Sequence, residues 1–216
     1  GSGAYADYVK VPEALLVPTP GGLSDAIAAS LPVAGLSAWQ MLHAAGTPRA
    51  GGTILVHGAA GGVGTLLVQM AKQLGLRVVA TASAGSRQHL VRLGVDQVID
   101  RIGERFENIV QNVDLVIDLA GADAADRSWA VLRSGGTLVS SVRPDVAAPR
   151  ADGRRGIWFS MQPDADRLKE VAGAAAAGDL IVTISETVPL AQVPAAIERN
   201  RTGHGPGKAV ADLTLG

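Results

Sequence analysis

The chain has no cysteine, which excludes disulfides and any cysteine-ligated zinc site and suits a reducing cytoplasm. It also lacks any run near the roughly 18 apolar residues needed to cross a bilayer, and no charged segment leads into an apolar one at its start, so neither a membrane span nor a secretory leader is expected. Charge of one sign is equally scarce. Nineteen Lys and Arg against 20 Asp and Glu leave a net charge of -1, and nothing in that balance calls for nucleic acid or a membrane surface. The four histidines, His43, His57, His89 and His204, are scattered without a two-histidine helical spacing, and no Gly-x-Ser-x-Gly elbow precedes a helix. Metal catalysis and Ser-His-Asp hydrolysis therefore both lack their usual signatures, and no metal ligand or catalytic residue is assigned. His43 has no carboxylate or cysteine at useful spacing and reads as a helix-surface residue.

What is present is apolar substance: 47% of 216 residues are hydrophobic and the mean hydropathy is +0.24. A large core follows, in one domain or one domain with a small annex. The organising stretch is residues 51 to 75, GGTILVHGAAGGVGTLLVQMAKQLG. Thr53 to His57 reads as a short buried strand. The turn after it carries Ala59-x-Gly61-x-x-Gly64, a dinucleotide fingerprint whose first glycine is alanine, with Gly58 and Gly62 as extra glycines. Gly61 lets the backbone approach a pyrophosphate, and Gly64 lets the next helix pack close to the strand. Val63, Leu67, Met70, Ala71 and Leu74 then recur at helical spacing, so a helix N-terminus, with unpaired N–H groups and a positive dipole end, points into the turn.

Upstream, residues 4 to 17 read as extended edge segments split by Pro12, and Gly1-Ser2 is set aside as a cloning remnant. Ser24 is the N-cap of a short helix through Ser30, and Pro32 opens a second helix with Leu36, Trp39 and Leu42 on its apolar face. Downstream, strands at Thr53–His57, Arg77–Ala82, Val95–Ile99, Leu115–Leu119, Thr137–Val142 and Ile157–Met161 alternate with helical patterns at Val63–Leu74, Ser86–Leu93, Phe106–Val110 and Ala124–Leu132. That alternation predicts an α/β fold with a doubly wound parallel sheet. A helix near Asp164–Ala177, a strand near Leu180–Ile184, a helix at Pro194–Arg199 and a last strand at Lys208–Leu213 complete the chain.

The second strand bears on cofactor choice. An Asp or Glu at its end would meet a free ribose 2′-hydroxyl, but the residues are Ala80-Thr81-Ala82-Ser83. Ser83 and Arg87 instead offer a hydroxyl and a fixed cation to a 2′-phosphate, which favours NADP(H), unless they are only a loop start and a solvated helix charge. Three other features keep two readings each. His57 is either a cofactor contact or a partly buried strand residue. Arg143, Arg150, Arg154 and Arg155, with Asp145 and Asp152, form either an anion-attracting loop or a solvated one. The turn Gly203-His204-Gly205-Pro206-Gly207 either approaches the nicotinamide or only returns the chain to its last strand.

The segments HGAAGGVGTLLVQMAKQLG, VVATASAGSRQHLVRLGVDQVID, VDLVIDLAG and LRSGGTLVSS resemble the zinc-independent quinone oxidoreductase branch of the medium-chain dehydrogenase/reductase superfamily. GAYADYVKVP resembles the end of that family's GroES-like catalytic lobe, and GPGKAVADL its closing strand. The resemblance implies NADPH-dependent hydride transfer to a quinone or to the β-carbon of an α,β-unsaturated carbonyl. It implies that Gly61, Gly62 and Val63 hold the pyrophosphate beside Gly58 and Ala60, and that Ser83 and Arg87 hold the 2′-phosphate. Arg101 stands where the family often stacks a tyrosine on adenine, and Ala120 and Ser140 would line the nicotinamide side. A small-molecule substrate, a cytoplasmic location and a homodimer paired at the edge of the Rossmann sheet complete the expectation.

Residues 1–30 are then a remnant of the catalytic lobe with a lead-in helix, 31–185 the Rossmann domain and 186–216 a C-terminal return segment. About a hundred residues of the family's first lobe are missing, so a fragment, a short form that uses another surface and a partial sequence are all open. The same gap keeps alive two alternatives to a reductase: an NADPH-binding sensor or scaffold without turnover, and a non-redox dehydratase or cyclase acting in the vacated cleft.

Overall fold

Val78 and Ala80 face one layer and Val79 the other, and Leu115, Val116 and Ile117 alternate in the same way; all six are at most 6% exposed. A strand buried on both faces needs this, because successive side chains point to opposite sides of a sheet. The computed structural model describes residues 4–6, 8–202 and 205–215. Its main sheet has six parallel strands, β1 (Thr53–His57), β2 (Arg77–Ala82), β3 (Gln97–Asp100), β4 (Val113–Asp118), β5 (Leu132–Ser140) and β6 (Arg155–Trp158), in the order β3-β2-β1-β4-β5-β6. This is the doubly wound order, whose reversal between β1 and β4 opens a crevice at the carboxyl ends of the strands.

Helices α1 (Asp25–His43), α2 (Gly62–Gln73), α3 (Arg87–Arg92) and α5 (Ala165–Ala176) supply the larger core on one side. The shorter α4 (Ala124–Ser128) and a 3-10 turn at Phe106–Asn108 cover the other face around Leu55, Val79, Val116 and Leu138. A second, two-stranded parallel sheet joins β7 (Ile184–Pro189) to β8 (Lys208–Asp212), with α6 (Val193–Thr202) between them. Val188, Val193 and Ala196 form its small separate core.

Several elements depart from the expected ones. The two helices expected on either side of Pro32 are one helix, capped by Ser24 Oγ, which accepts from the Ile27 amide at 3.4 Å. An interior proline costs about 3 kcal/mol. Against it stand Leu31, Met41 and Leu42, each at most 1% exposed, and full burial of such side chains is worth roughly 1.5–3 kcal/mol apiece. Gly35 adds to the fit: a Cβ there would lie 2.7 Å from Val171 Cγ1, so its absence lets α1 approach α5. The expected boundary between residues 30 and 31 therefore falls inside a continuous helix.

The strand expected at Leu180–Ile184 begins only at Ile184. Residues 179 to 181 spend their backbone on α2 instead. Gln69 receives the Ile181 N–H at 2.8 Å and donates to its carbonyl at 2.9 Å, while Gln73 donates to the Asp179 carbonyl at 2.8 Å. The helical pattern at Phe106–Val110 makes only the 3-10 turn, and Asn112 at φ 59° ends the segment before β4. The pattern at Ala124–Leu132 stops at Ser128, and Leu132 starts β5. Residues 4–6 and 8–17 form no strand; Tyr8 is 93% exposed. Gly1-Ser2, Gly203 and His204 lie outside the described residues.

Ile117 is fully buried in β4 against the helical layer. Ile117→Ala is expected to lower unfolding free energy by about 2–5 kcal/mol, read as a lower urea midpoint at unchanged slope.

Candidate functional site

The turn between β1 and α2 is built on glycine at two points where no other residue fits. Gly58 has φ +75°, and a Cβ on it would lie 3.1–3.4 Å from Leu119. A Cβ on Gly64 would meet the Ala59 Cα at 2.6 Å and clash with the Gly58 carbonyl. Neither obstacle is a side chain that could turn away, so both glycines are required by the backbone's own path. Gly61 is the N-cap of α2, and no side chain caps that end. The amides of Gly62, Val63 and Gly64 therefore have no helical acceptor, and they stand at the positive end of the helix dipole. The segment entering β8 closes the turn from outside: the Gly207 amide donates to the Ala60 carbonyl at 2.9 Å, and the Lys208 stem lies against Gly62.

A cleft of about 430 Å³ opens beside the turn at the carboxyl ends of β1 to β4. Of the residues singled out by sequence, Gly58, Ala60, Gly61, Ser83, Arg101 and Ala120 line it together. Gly62 and Val63 lie across the turn, against a smaller hollow of about 260 Å³ that also holds Lys208 and Asn200. Arg87 is not in the cleft wall; its Nη2 lies 3.5 Å from Glu104 Oε2, and Glu104 does line the cleft. Ser140 is fully buried below the cleft and does not line it.

Ser140 acts on the rim from beneath. Its hydroxyl donates to Asp118 Oδ2 at 2.8 Å and accepts the amides of Val142 and Arg143 at 3.2 and 3.0 Å. Asp118, also fully buried, accepts the amides of Ala120 and Gly121 on Oδ1 at 3.1 and 2.8 Å. The carboxylate thereby sets the loop after β4, where Gly121 and Ala122 both have positive φ.

His57 forms part of the cleft floor and is 1% exposed. Ser128 Oγ donates to the Ala124 carbonyl at 2.6 Å, so it accepts from His57 Nε2–H at 2.9 Å. His57 Nδ1 then accepts from the Thr81 hydroxyl at 2.8 Å. This network assigns the neutral Nε2–H tautomer. Burial holds the imidazole down at about 4, from an ordinary 6.5, against an opposing pull from Asp118. His57 is thus a buried strand residue whose ring also borders the cleft.

On the far wall, Arg127 grips Glu107 through Nε and Nη2 at 2.6 and 2.5 Å and lies over the Phe106 ring at 4.7 Å. The Arg127 guanidinium holds the Glu107 carboxyl down at about 2. Arg127 is thus committed, whereas among the described residues the exposed Arg101 side chain has no ion-pair or hydrogen-bond partner. In the Arg143–Arg155 loop, Arg143 pairs with Asp126 of α4 and with Asp145, and Arg150 pairs with Asp152. Glu104, Thr81, Ser128 and Asp118 are not singled out in the sequence, because the contacts that give Thr81, Ser128 and Asp118 their roles join different elements; the signal that could have found Asp118 is an acid ending an apolar strand in VIDLAG.

The uncapped glycine turn, the strand order and the crevice define a doubly wound protein with a dinucleotide-type site. Residues 93–210 match the family model described as zinc-binding dehydrogenase, and the chain belongs to that family, within the medium-chain dehydrogenase/reductase superfamily. It is 34% identical over 212 residues to the 2-methylene-furan-3-one reductase of Solanum lycopersicum, covering 96% of this chain and 52% of that one. A solved quinone oxidoreductase from Coxiella burnetii superposes with a TM-score of 0.83 at 33% identity, covering 91% of this chain and 63% of the other. A mycobacterial protein solved with NADPH superposes with a TM-score of 0.85 at 27% identity, covering 96% and 71%. The chain spans about half the length of the curated reductase it matches. Despite the family's description, no cluster of three or more His, Cys, Asp or Glu side chains suited to a metal occurs among the described residues.

Two outcomes follow from this geometry. Gly64→Ala is expected to cost roughly 1–3 kcal/mol in urea unfolding, because backbone must move to admit the methyl group. Because burial lowers the His57 pKa, the unfolded chain takes up that proton first as pH falls. The contribution is complete above about 6.5 and is lost between 6.5 and about 4, a window worth roughly 3 kcal/mol. Unfolding free energy measured against pH should fall across that window, and His57→Gln should flatten the fall.

Proposed function

We propose that this chain is the cofactor-binding part of an NADPH-dependent reductase that transfers a hydride to a quinone or to the β-carbon of an α,β-unsaturated carbonyl. The observation that carries the reading is the uncapped N-terminus of α2 at Gly61, opening on a cleft whose far corner holds Ser83 and Arg101. The fit to a dinucleotide is physical. Amides at the start of α2 without a helical acceptor and a helix dipole suit a diphosphate, and the bare Gly61 keeps a side chain out of its approach to the backbone. When bound, NADPH supplies the hydride, and the alkene's α-carbon or the second quinone oxygen gains a proton from water or another donor.

The chain's own residues bind, orient and shield. Gly61, Gly62 and Val63 hold the diphosphate, with Gly58 and Ala60 forming the wall beside it. Ser83, Arg87 and Arg101 face the 2′-phosphate and adenine end. Ala120 lines the nicotinamide side, and Ser140, through Asp118, sets the loop that carries Ala120. No zinc ligand is invoked, since the hydride acceptor can be activated without one.

The same reading places residues 1–30 at the end of a catalytic lobe and the protein in the cytoplasm. It also joins two copies through β6, the outer strand of the sheet, where Trp158 is 43% exposed. Light scattering should then give a dimer mass.

The decisive assay titrates the chain with NADPH and with NADH by nicotinamide fluorescence, and then follows consumption of the reduced nicotinamide with a quinone and an enone. Tighter binding of NADPH and turnover with either acceptor are expected, and Arg101→Ala should weaken NADPH by about 5- to 30-fold, as loss of a charge-assisted bond does. Binding without consumption would leave a sensor, and a change in substrate at constant NADPH a non-redox enzyme.

A further inference from the structure

We propose that Glu104 is a specificity-determining residue that restrains the preference for a 2′-phosphorylated cofactor and lends the site an acceptor for a free ribose 2′-hydroxyl. The inference rests on the placement of the 2′ end at Ser83 and Arg87 proposed above. The end of β2 carries no acid, so the usual acceptor for that hydroxyl is missing from its own strand. The neighbouring strand brings one in.

Parallel pairing sets Ala82 opposite Asp100, and the Arg101 amide donates to the Ala82 carbonyl at 3.0 Å. From there the chain turns back sharply. The Glu104 amide donates to the Asp100 carbonyl at 2.9 Å, and Glu104 Oε2 accepts the Asp100 amide at 2.7 Å. The carboxylate is thereby folded over the end of β3 and into the same cleft wall as Ser83, Ser86 and Arg101. Its Oε2 also lies 3.5 Å from Arg87 Nη2.

Two consequences follow for a ligand arriving at this corner. Arg87, which sequence assigns to the 2′-phosphate, is already engaged by an internal anion, so a phosphate has to compete for it. The pair is an open one, with side chains 49% and 44% exposed, and such pairs exchange partners at little cost. A 2′-phosphate also meets the like charge of Glu104 itself, which disfavours it. A 2′-hydroxyl meets neither penalty, and it can donate to the carboxylate. Arg101, with no partner among the described residues, remains the cation that gives the phosphate its advantage. The site thus favours NADPH by less than its arginines alone would.

Glu104→Gln tests this, since the amide oxygen still accepts from the Asp100 N–H while the charge is gone. Calorimetric titration of the full chain with adenosine 2′,5′-bisphosphate and with 5′-AMP isolates the 2′ group without any turnover. Affinity for the bisphosphate should rise about 5- to 10-fold in the variant, and affinity for 5′-AMP should hold or fall. Glu104→Ala should move the ratio in the same direction, which guards against an effect peculiar to glutamine. An unchanged ratio in both variants would overturn the proposal. Ser83→Ala and Arg87→Ala separate the two levels. If they lower bisphosphate affinity while Glu104→Gln changes nothing, the role of Glu104 alone falls; if they too leave the ratio unchanged, the 2′ placement falls and takes the proposal with it.

Discussion

The close approach of α2 to the end of β1 is the constraint on which the site depends. It is a contact of backbone on backbone, Gly64 against Gly58 and Ala59, and it exists because position 64 has no side chain. From it follow the direction of α2 and the uncapped start of that helix. A second bare position, Gly62, leaves room for the Lys208 stem, so that Gly207 bonds to Ala60 and β8 lies against the turn. Binding at such a helix end needs no charged side chain, which is why the turn itself can be wholly neutral.

Around the turn, the cleft is held by polar groups that are buried or half-buried and satisfied, not by reactive ones. His57 is locked as a neutral ring between Thr81 and Ser128, tying β1 to β2 and α4. Asp118 spends its oxygens on two loop amides and Ser140. Arg127 is fastened to Glu107. Each is costly to bury unpaired and useful when paired, so the network fixes the cleft's shape. The chemistry assigned to the site asks for positioning, and positioning is what these groups supply.

Much of this was legible in the sequence. The six strands, the turn and its helix stand out because each is a local pattern: alternation, glycine spacing and a 3.6-residue period. What the sequence does not show shares a cause. Pro32 reads as a helix start, but burial of Leu31, Met41 and Leu42 carries α1 through it. Leu180–Ile184 reads as a strand, but Gln69 and Gln73, about a hundred residues away, claim its backbone groups. The family resemblance sets Ser140 on the nicotinamide side, and its hydroxyl is drawn inward by Asp118. Arg87 reads as free, and only the fold brings Glu104 to it. Period and propensity are local, whereas these outcomes are decided by partners the chain supplies from elsewhere.

The central claim is that a dinucleotide lies with its diphosphate over the N-terminus of α2. A crystal structure of the chain grown with NADP+ tests it most directly. The account predicts diphosphate oxygens within hydrogen-bonding distance of the Gly62 and Val63 amides, with the 2′-phosphate beside Ser83 and Arg101. A cofactor bound with its diphosphate away from that helix end, whatever its affinity, would contradict the account.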